Sequence, residues 1–224
     1  MKKLLLISLI LLCLLGFSGC SQKEASGNKP ESTVETASEP EDAQTEETAF
    51  HLSRGSWDAE GKVFVNESTG IRIQISDDYL PVPDSELAQL FLGRDEDLSS
   101  WTEEEFKTEM GIPDCQFSSN ERGQASVLYE NLAAENATEV TEDLFVTIVV
   151  TNMRKQYEDL SESEVYDLML SGQSYRACDV VFTNSGIQIN ETIAVRRVGD
   201  YMATVIFGQA TGRDYINEMI AFFN

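Results

Sequence analysis

Apolar and polar positions change their period several times along the chain, and each change marks an element. Ile71, Ile73 and Ile75 alternate with Arg72, Gln74 and Ser76, a two-residue period that predicts a strand with one buried face. Lys62–Asn66 precedes it as a second strand, with Glu67-Ser68-Thr69-Gly70 as the turn. Pro83-Asp84-Ser85 then opens a short helix whose Leu87, Leu90 and Phe91 share a face, and Gly93 stops it. Thr102 and Glu105 have the spacing of a capping box for a helix running to Met110, ended by Gly111 and Pro113. A hairpin follows over 115–119 and 124–132, turning at Asn120-Glu121-Arg122-Gly123. Gly186 and Gly199-Asp200 separate three further strands, 176–183, 187–198 and 201–208. A last helix is predicted from about Gly212 to Phe222, burying Tyr215, Ile216, Met219 and Ile220.

Two middle segments read both ways. Leu144 to Val150 is rich in β-branched residues, as a strand would be, yet Phe145, Ile148, Val149 and Asn152 recur at helical spacing after Thr141. Ser161 and Glu164 look like a helix cap, whereas Tyr166, Leu168 and Leu170 alternate as in a strand. Periodicity alone leaves both segments open.

The N-terminus follows a different logic. Lys2 and Lys3 precede an uncharged apolar run from Leu4 to Leu15, and Gly16-Phe17-Ser18-Gly19-Cys20 follow. At about 1.5 Å per residue the run reaches roughly 18 Å, short of a hydrocarbon core of roughly 30 Å. A basic start, a short apolar stretch and small residues are the features of a secretory signal over 1–19. From Ser21 to Thr48 there is no aromatic residue and one branched aliphatic, Val34, among eight acids and two lysines. Such a stretch buries too little apolar surface to offset chain entropy, so 20–49 is expected to be an acidic, disordered tether. Residues 50–224 remain as a single domain.

Charge narrows the partners. The chain carries 39 acidic and 16 basic side chains, a formal net charge of −23. Residues 50–224 alone hold 31 acids against 12 basic residues, a net −19. That balance argues against nucleic acid as a partner and against docking on an anionic membrane through a basic patch.

Candidate chemistry is sparse. The one histidine, His51, lies where tether meets domain, a poor place for a rigid catalytic base, and no other histidine can serve a Ser-His-Asp or Cys-His arrangement. Cys115 and Cys178 are the two thiols of the domain. In an extracytoplasmic compartment they either form a disulfide, worth roughly 4 kcal/mol by chain entropy, or stay as buried free thiols. Two cysteines without histidine make no usual zinc site. Asp95-Glu96-Asp97 begins like a calcium loop, but Ser100 stands where glycine is needed and Phe106 where a bidentate glutamate is needed. Ser26-Gly27-Asn28-Lys29 spells S-x-x-K inside the tether without its companion motifs, a chance match. Trp57 and Trp101 are read either as a ligand surface or as core packing, with packing favoured. No Gly-rich phosphate loop or nucleophile elbow is present, so no cofactor and no metal is expected.

The segment ending at Cys20 resembles the lipobox of bacterial lipoproteins, with Phe17 where that pattern usually has Leu. The resemblance implies a diacylglyceryl group on the Cys20 thiol, whose two acyl chains hold the protein at the cell membrane on its extracytoplasmic side. Other segments together resemble a group of uncharacterised surface lipoproteins of Gram-positive bacteria. They are Arg54-Gly55-Ser56-Trp57, the run from Val63 to Ile71, Tyr79, Gly123, Tyr129-Glu130-Asn131-Leu132, Gly172-Gln173-Ser174-Tyr175 and Gly199-Asp200-Tyr201-Met202. The family usually has a proline after the second strand, where this chain has Ser76-Asp77-Asp78. The resemblance implies an α+β fold, an antiparallel sheet flanked by helices and PsbP/Mog1-like, with residues 141–157 helical and 164–171 a strand. Members of that wider fold are binding or assembly factors. The expectation is therefore a lipid-anchored extracytoplasmic binding or accessory module without catalytic activity, for a protein or other extracellular ligand. Its alternatives are a hydrolase using carboxylates alone and a calcium-dependent envelope or adhesion factor.

Overall fold

The computed structural model describes residues 50–224. The signal segment, Cys20 and the tether lie outside the described residues. The leading hairpins form a three-stranded antiparallel sheet, β1 (Ser56–Trp57), β2 (Val63–Asn66) and β3 (Ile71–Gln74). The main sheet contains β4 (Leu80–Pro81), β5 (Gly111–Ser119), β6 (Gly123–Asn131), β7 (Ser161–Glu162), β8 (Tyr166–Leu170), β9 (Gln173–Asn184), β10 (Ile187–Val198) and β11 (Tyr201–Ala210). Its order is β4-β5-β6-β11-β10-β9-β7, with β8 also paired to β9, and every pairing is antiparallel. Four helices flank it: α1 (Asp84–Leu92), α2 (Glu103–Thr108), α3 (Glu142–Arg154) and α4 (Asp214–Ala221). The fold is α+β, as expected.

Local chemistry sets the helix ends. Gly93 closes α1 in the left-handed region at φ 66°, which costs a glycine little. Thr102 and Glu105 form the reciprocal capping box at the start of α2. Thr141 caps α3 by accepting from the Leu144 N–H, and Glu142 and Asp143 place negative charge in its first turn. Segment 144–150 is therefore helical despite its β-branched content, because Phe145, Val146, Val149, Val150 and Met153 form one buried face. Gly111 and Pro113 start β5 instead of loop; a register shift between Pro113 and Cys115 accommodates the proline.

The two faces of the main sheet are packed differently. One carries Tyr129, Ala177, Ala194, Val205 and Phe207 against the small sheet and Ile216 and Met219 of α4. On the other, α3 packs over Cys178, Val180, Phe182, Ile193 and Val195, while α1 packs over Leu128 and Ile206. Tyr215 and Ile220, expected in the core, are only half-buried. The leading segment is docked and not frayed: Leu52 is buried, and the Phe50 ring meets Tyr201 edge-on at 6.3 Å.

Candidate functional site

Two polar constellations stand out inside the domain, and one of them is spent on holding the fold together. Asp114 on β5 is buried, and its carboxylate accepts from Gly55 N–H, Asn66 Nδ2 and the Tyr129 hydroxyl, each at 2.8 Å. Arg54 grips Asp84 with both Nη atoms at 2.8 Å and donates to the Asp114 carbonyl at 2.7 Å. Burial pushes the Asp114 carboxyl up against the pull of its donors and Arg54. This network ties the leading segment and the β2–β3 hairpin to β5 and β6.

The second constellation is incomplete. Register places Ser118, Gln124, Gly208, Glu191 and Val180 in one row across β5, β6, β11, β10 and β9. Alternation puts their side-chain positions on the face that α1 and α3 cover. Gly208 leaves a gap in this row between Gln124 and Glu191. A Cβ there would lie 3.7 Å from Glu191 Cγ and Oε1 and 3.9 Å from Gln124 Cγ, ordinary contacts. No steric clash demands glycine at this point; its effect is to leave the gap open. Above it lies a cavity of about 320 Å³, walled by the β5–β6 turn, the β9–β10 turn and the end of β11. Its polar wall includes Ser118 and Gln124, and its apolar wall Ile187, Ile189 and Ala210.

Several oxygens on this face have no hydrogen-bond partner. Glu191 is 2% exposed with Oε2 unpaired; Gln116 Oε1 and Ser126 Oγ, in the next row, are buried and unpaired too. Gln116 Nε2 donates to Gln124 Oε1 at 3.2 Å, which links the two rows. Burial alone pushes the Glu191 carboxyl up to about 8, so it is mostly protonated at neutral pH. Its titratable neighbour is Tyr157, whose phenol is raised by its own burial and then by the Glu191 charge. At the rim, Arg122 is neutralised by Asp78 at 2.7 Å and Glu218 at 3.1 Å, and it stacks over Tyr215.

The residues singled out from sequence fall elsewhere. His51 is exposed on the leading segment. Cys115 and Cys178 are both buried free thiols, the second of the two alternatives their sequence positions leave open. They sit on β5 and β9, four strand spacings or roughly 19 Å apart, and in core clusters on opposite faces of the sheet. A disulfide needs Cα atoms within about 7 Å. Trp57 packs on Phe64 and Phe117, at 5.3 and 6.4 Å between centroids. Trp101 packs edge-on against Phe106 at 5.6 Å, under the Arg94 guanidinium. In the Asp95–Asp97 stretch, Asp97 spends its carboxylate on Ser99 N–H and hydroxyl, and Arg94 pairs with Glu96 and Glu109. Among the described residues no three His, Cys, Asp or Glu side chains converge as a metal site would require. Glu130 is the other deeply buried acid raised to about 8, by burial and then by Glu135. It pairs with Met202, six residues along β11 from Gly208, roughly 20 Å from Glu191 and too far for a glycosidase pair.

Glu191 itself escaped the sequence reading. The signal is an acid inside the apolar alternation Ile187, Ile189, Glu191, Ile193, Val195, where parity calls for an apolar residue.

No protein-family profile matches the chain, and no curated protein sequence matches it. Among solved structures it is similar to LpqN, described as involved in cell envelope biogenesis of Mycobacterium tuberculosis. The identity is 8% and the TM-score 0.35, over 66% of this chain and 75% of that one. So slight a likeness transfers neither fold detail nor chemistry. Among the described residues no helix is long and apolar enough to cross a membrane.

Proposed function

We propose that this protein is an extracytoplasmic binding module, anchored through a lipid on Cys20, whose PsbP/Mog1-like domain takes a ligand into the cavity over Gly208 without transforming it. The observation that carries this reading is the gap left by Gly208, which lines the cavity beside Gln124 and has the buried Glu191 as its neighbour in the row, with Oε1 3.7 Å from where a Cβ would stand. A volume near 320 Å³ is at the small end of ligand pockets, suited to one side-chain-sized group.

Two measurements test the two halves of the proposal. Cys20→Ser in the expressing bacterium should release the protein from the membrane fraction into the medium and abolish its labelling by palmitate; retention in the membrane would refute the anchor. In a fragment screen on the full chain by protein-observed NMR, hits should converge on the Gly208, Gln124 and Ile189 resonances. They should vanish in Gly208→Leu, whose side chain fills the gap while the circular dichroism stays unchanged. Hits that scatter over the surface, or that survive Gly208→Leu, would refute the site.

A further inference from the structure

We propose that the cavity between β3, the β8–β9 turn and the segment after α4 is a second binding site, for a carboxylate group on an aromatic or apolar body, with the Arg72 guanidinium as its anchor. It shares no residue with the cavity over Gly208 and does not depend on that reading. Its volume is about 360 Å³. Alternation along β3 sets Arg72 and Gln74 on the exposed face of the small sheet, and both line this cavity. Phe222, Phe223, Asn224 and the two-residue turn Ser171-Gly172 supply most of the remaining wall. Hydrogen bonds tie these three segments together. Ser171 Oγ accepts from the Arg72 N–H at 3.0 Å and donates to the Arg72 carbonyl at 2.8 Å. The Ser171 N–H donates to the Phe223 carbonyl at 2.6 Å, and the Gln74 N–H to the Phe222 carbonyl at 2.8 Å. The Phe222 ring is held in turn by Tyr79 and Phe117, at 5.2 and 5.8 Å between centroids. The walls are therefore fixed, while the Arg72 side chain is left exposed.

Charge selects the ligand. Among the described residues Arg72 is the one arginine whose side chain makes neither an ion pair nor a hydrogen bond. It stands without a carboxylate in a domain that holds 31 acids against 12 basic residues, and no Asp or Glu lines its cavity. The other cavities do include acids, Glu96 and Glu109 beside Arg94 and Glu121 over Gly208. Arg196 adds a second cation nearby. Its guanidinium donates to the Thr69 carbonyl at 2.6 Å and to Gln173 Oε1 at 3.4 Å, next in sequence to the cavity residues Gly70 and Gly172, and it too lacks an acid partner. A guanidinium offers only donors, stays charged at every working pH, and its fork matches the two oxygens of a carboxylate. A phosphate dianion fits less well, because each added negative charge is repelled by the domain's net −19. The half-buried Phe222 ring offers the body of the ligand an apolar contact.

The test is an NMR titration of the full chain with benzoate, benzamide, benzylammonium and inorganic phosphate. Benzoate should shift the Gln74 and Gly172 amides and the Arg72 Nε–H saturably, about tenfold more tightly than benzamide, and benzylammonium should leave them unmoved. Arg72→Gln, with unchanged circular dichroism, should bring benzoate down to the level of benzamide. Gly208→Leu should leave the titration as it is; loss of binding there would overturn the independence of the two sites. Benzoate held no better than benzamide, or held equally well by Arg72→Gln, would overturn the Arg72 anchor. Phosphate binding more tightly than benzoate would overturn the carboxylate assignment, and silence from all four probes would overturn the site.

Discussion

Three carboxyl groups in this domain are folded away from water, and they make its stability depend on pH in an unusual sense. Glu130 and Glu191 are pushed up to about 8, and Asp114 is pushed upward as well. In the unfolded chain the same groups titrate near 4. The folded state thus holds more protons than the unfolded state across the window from about pH 4.5 to 8. Stability is fullest below that window, falls as pH rises through it, and levels off above it. Each glutamate contributes a slope of at most about 1.4 kcal/mol per pH unit. Asp58, Asp97, Glu105 and Asp159 have the opposite sign, since hydrogen bonds hold them below the ordinary value, but their window lies at lower pH. Urea denaturation should therefore give a higher midpoint at pH 5.5 than at pH 8. Glu130→Gln with Glu191→Gln should flatten most of that difference; a midpoint that rises with pH in the unmodified chain would contradict the assignment.

At the level of elements, the β5–β6 turn is tightly constrained. Gly123 adopts φ 118°, and a Cβ there would lie 2.3 Å from the Gly208 carbonyl oxygen. Gly123→Ala should cost about 2–4 kcal/mol, read as a lowered denaturant midpoint at unchanged slope. A loss below about 0.5 kcal/mol would mean that the turn relaxes freely. Elements of this kind were legible in sequence where their signals are local. Examples are the alternation of 71–75, Gly93 after α1, and the Thr102–Glu105 box. The helix over 142–154 was not legible from propensity, because tertiary burial of one face overrides a β-branched composition. The cavity was less legible still. Its walls come from five strands, and Gln124 meets Gly208 through a pairing between positions more than seventy residues apart in the chain. Only the misplaced acid at 191 leaves a trace in the one-dimensional pattern.

For the molecule as a whole, the net −19 of the domain acts as self-repulsion in the folded state. Raising sodium chloride from 20 to 500 mM shortens the Debye length from roughly 20 Å to under 5 Å. The melting temperature should accordingly rise by a few degrees in calorimetry. The unlipidated Cys20→Ser chain should also stay in the supernatant when centrifuged with vesicles of anionic phospholipid. Co-sedimentation at low salt would reveal a basic surface that the composition does not suggest.

The two ends of β11 have different occupants. Phe50, where the chain arrives from its N-terminal segment, packs at the Tyr201 end, and the cavity opens at the Gly208–Ala210 end. Seven to nine residues of extended strand separate them, roughly 25–30 Å. Under the anchor and cavity proposed above, attachment and binding would fall at opposite poles of the domain. In the proposed arrangement the axis of β11 runs from root to mouth, with the chain's entry at one pole of the domain and the cavity at the other.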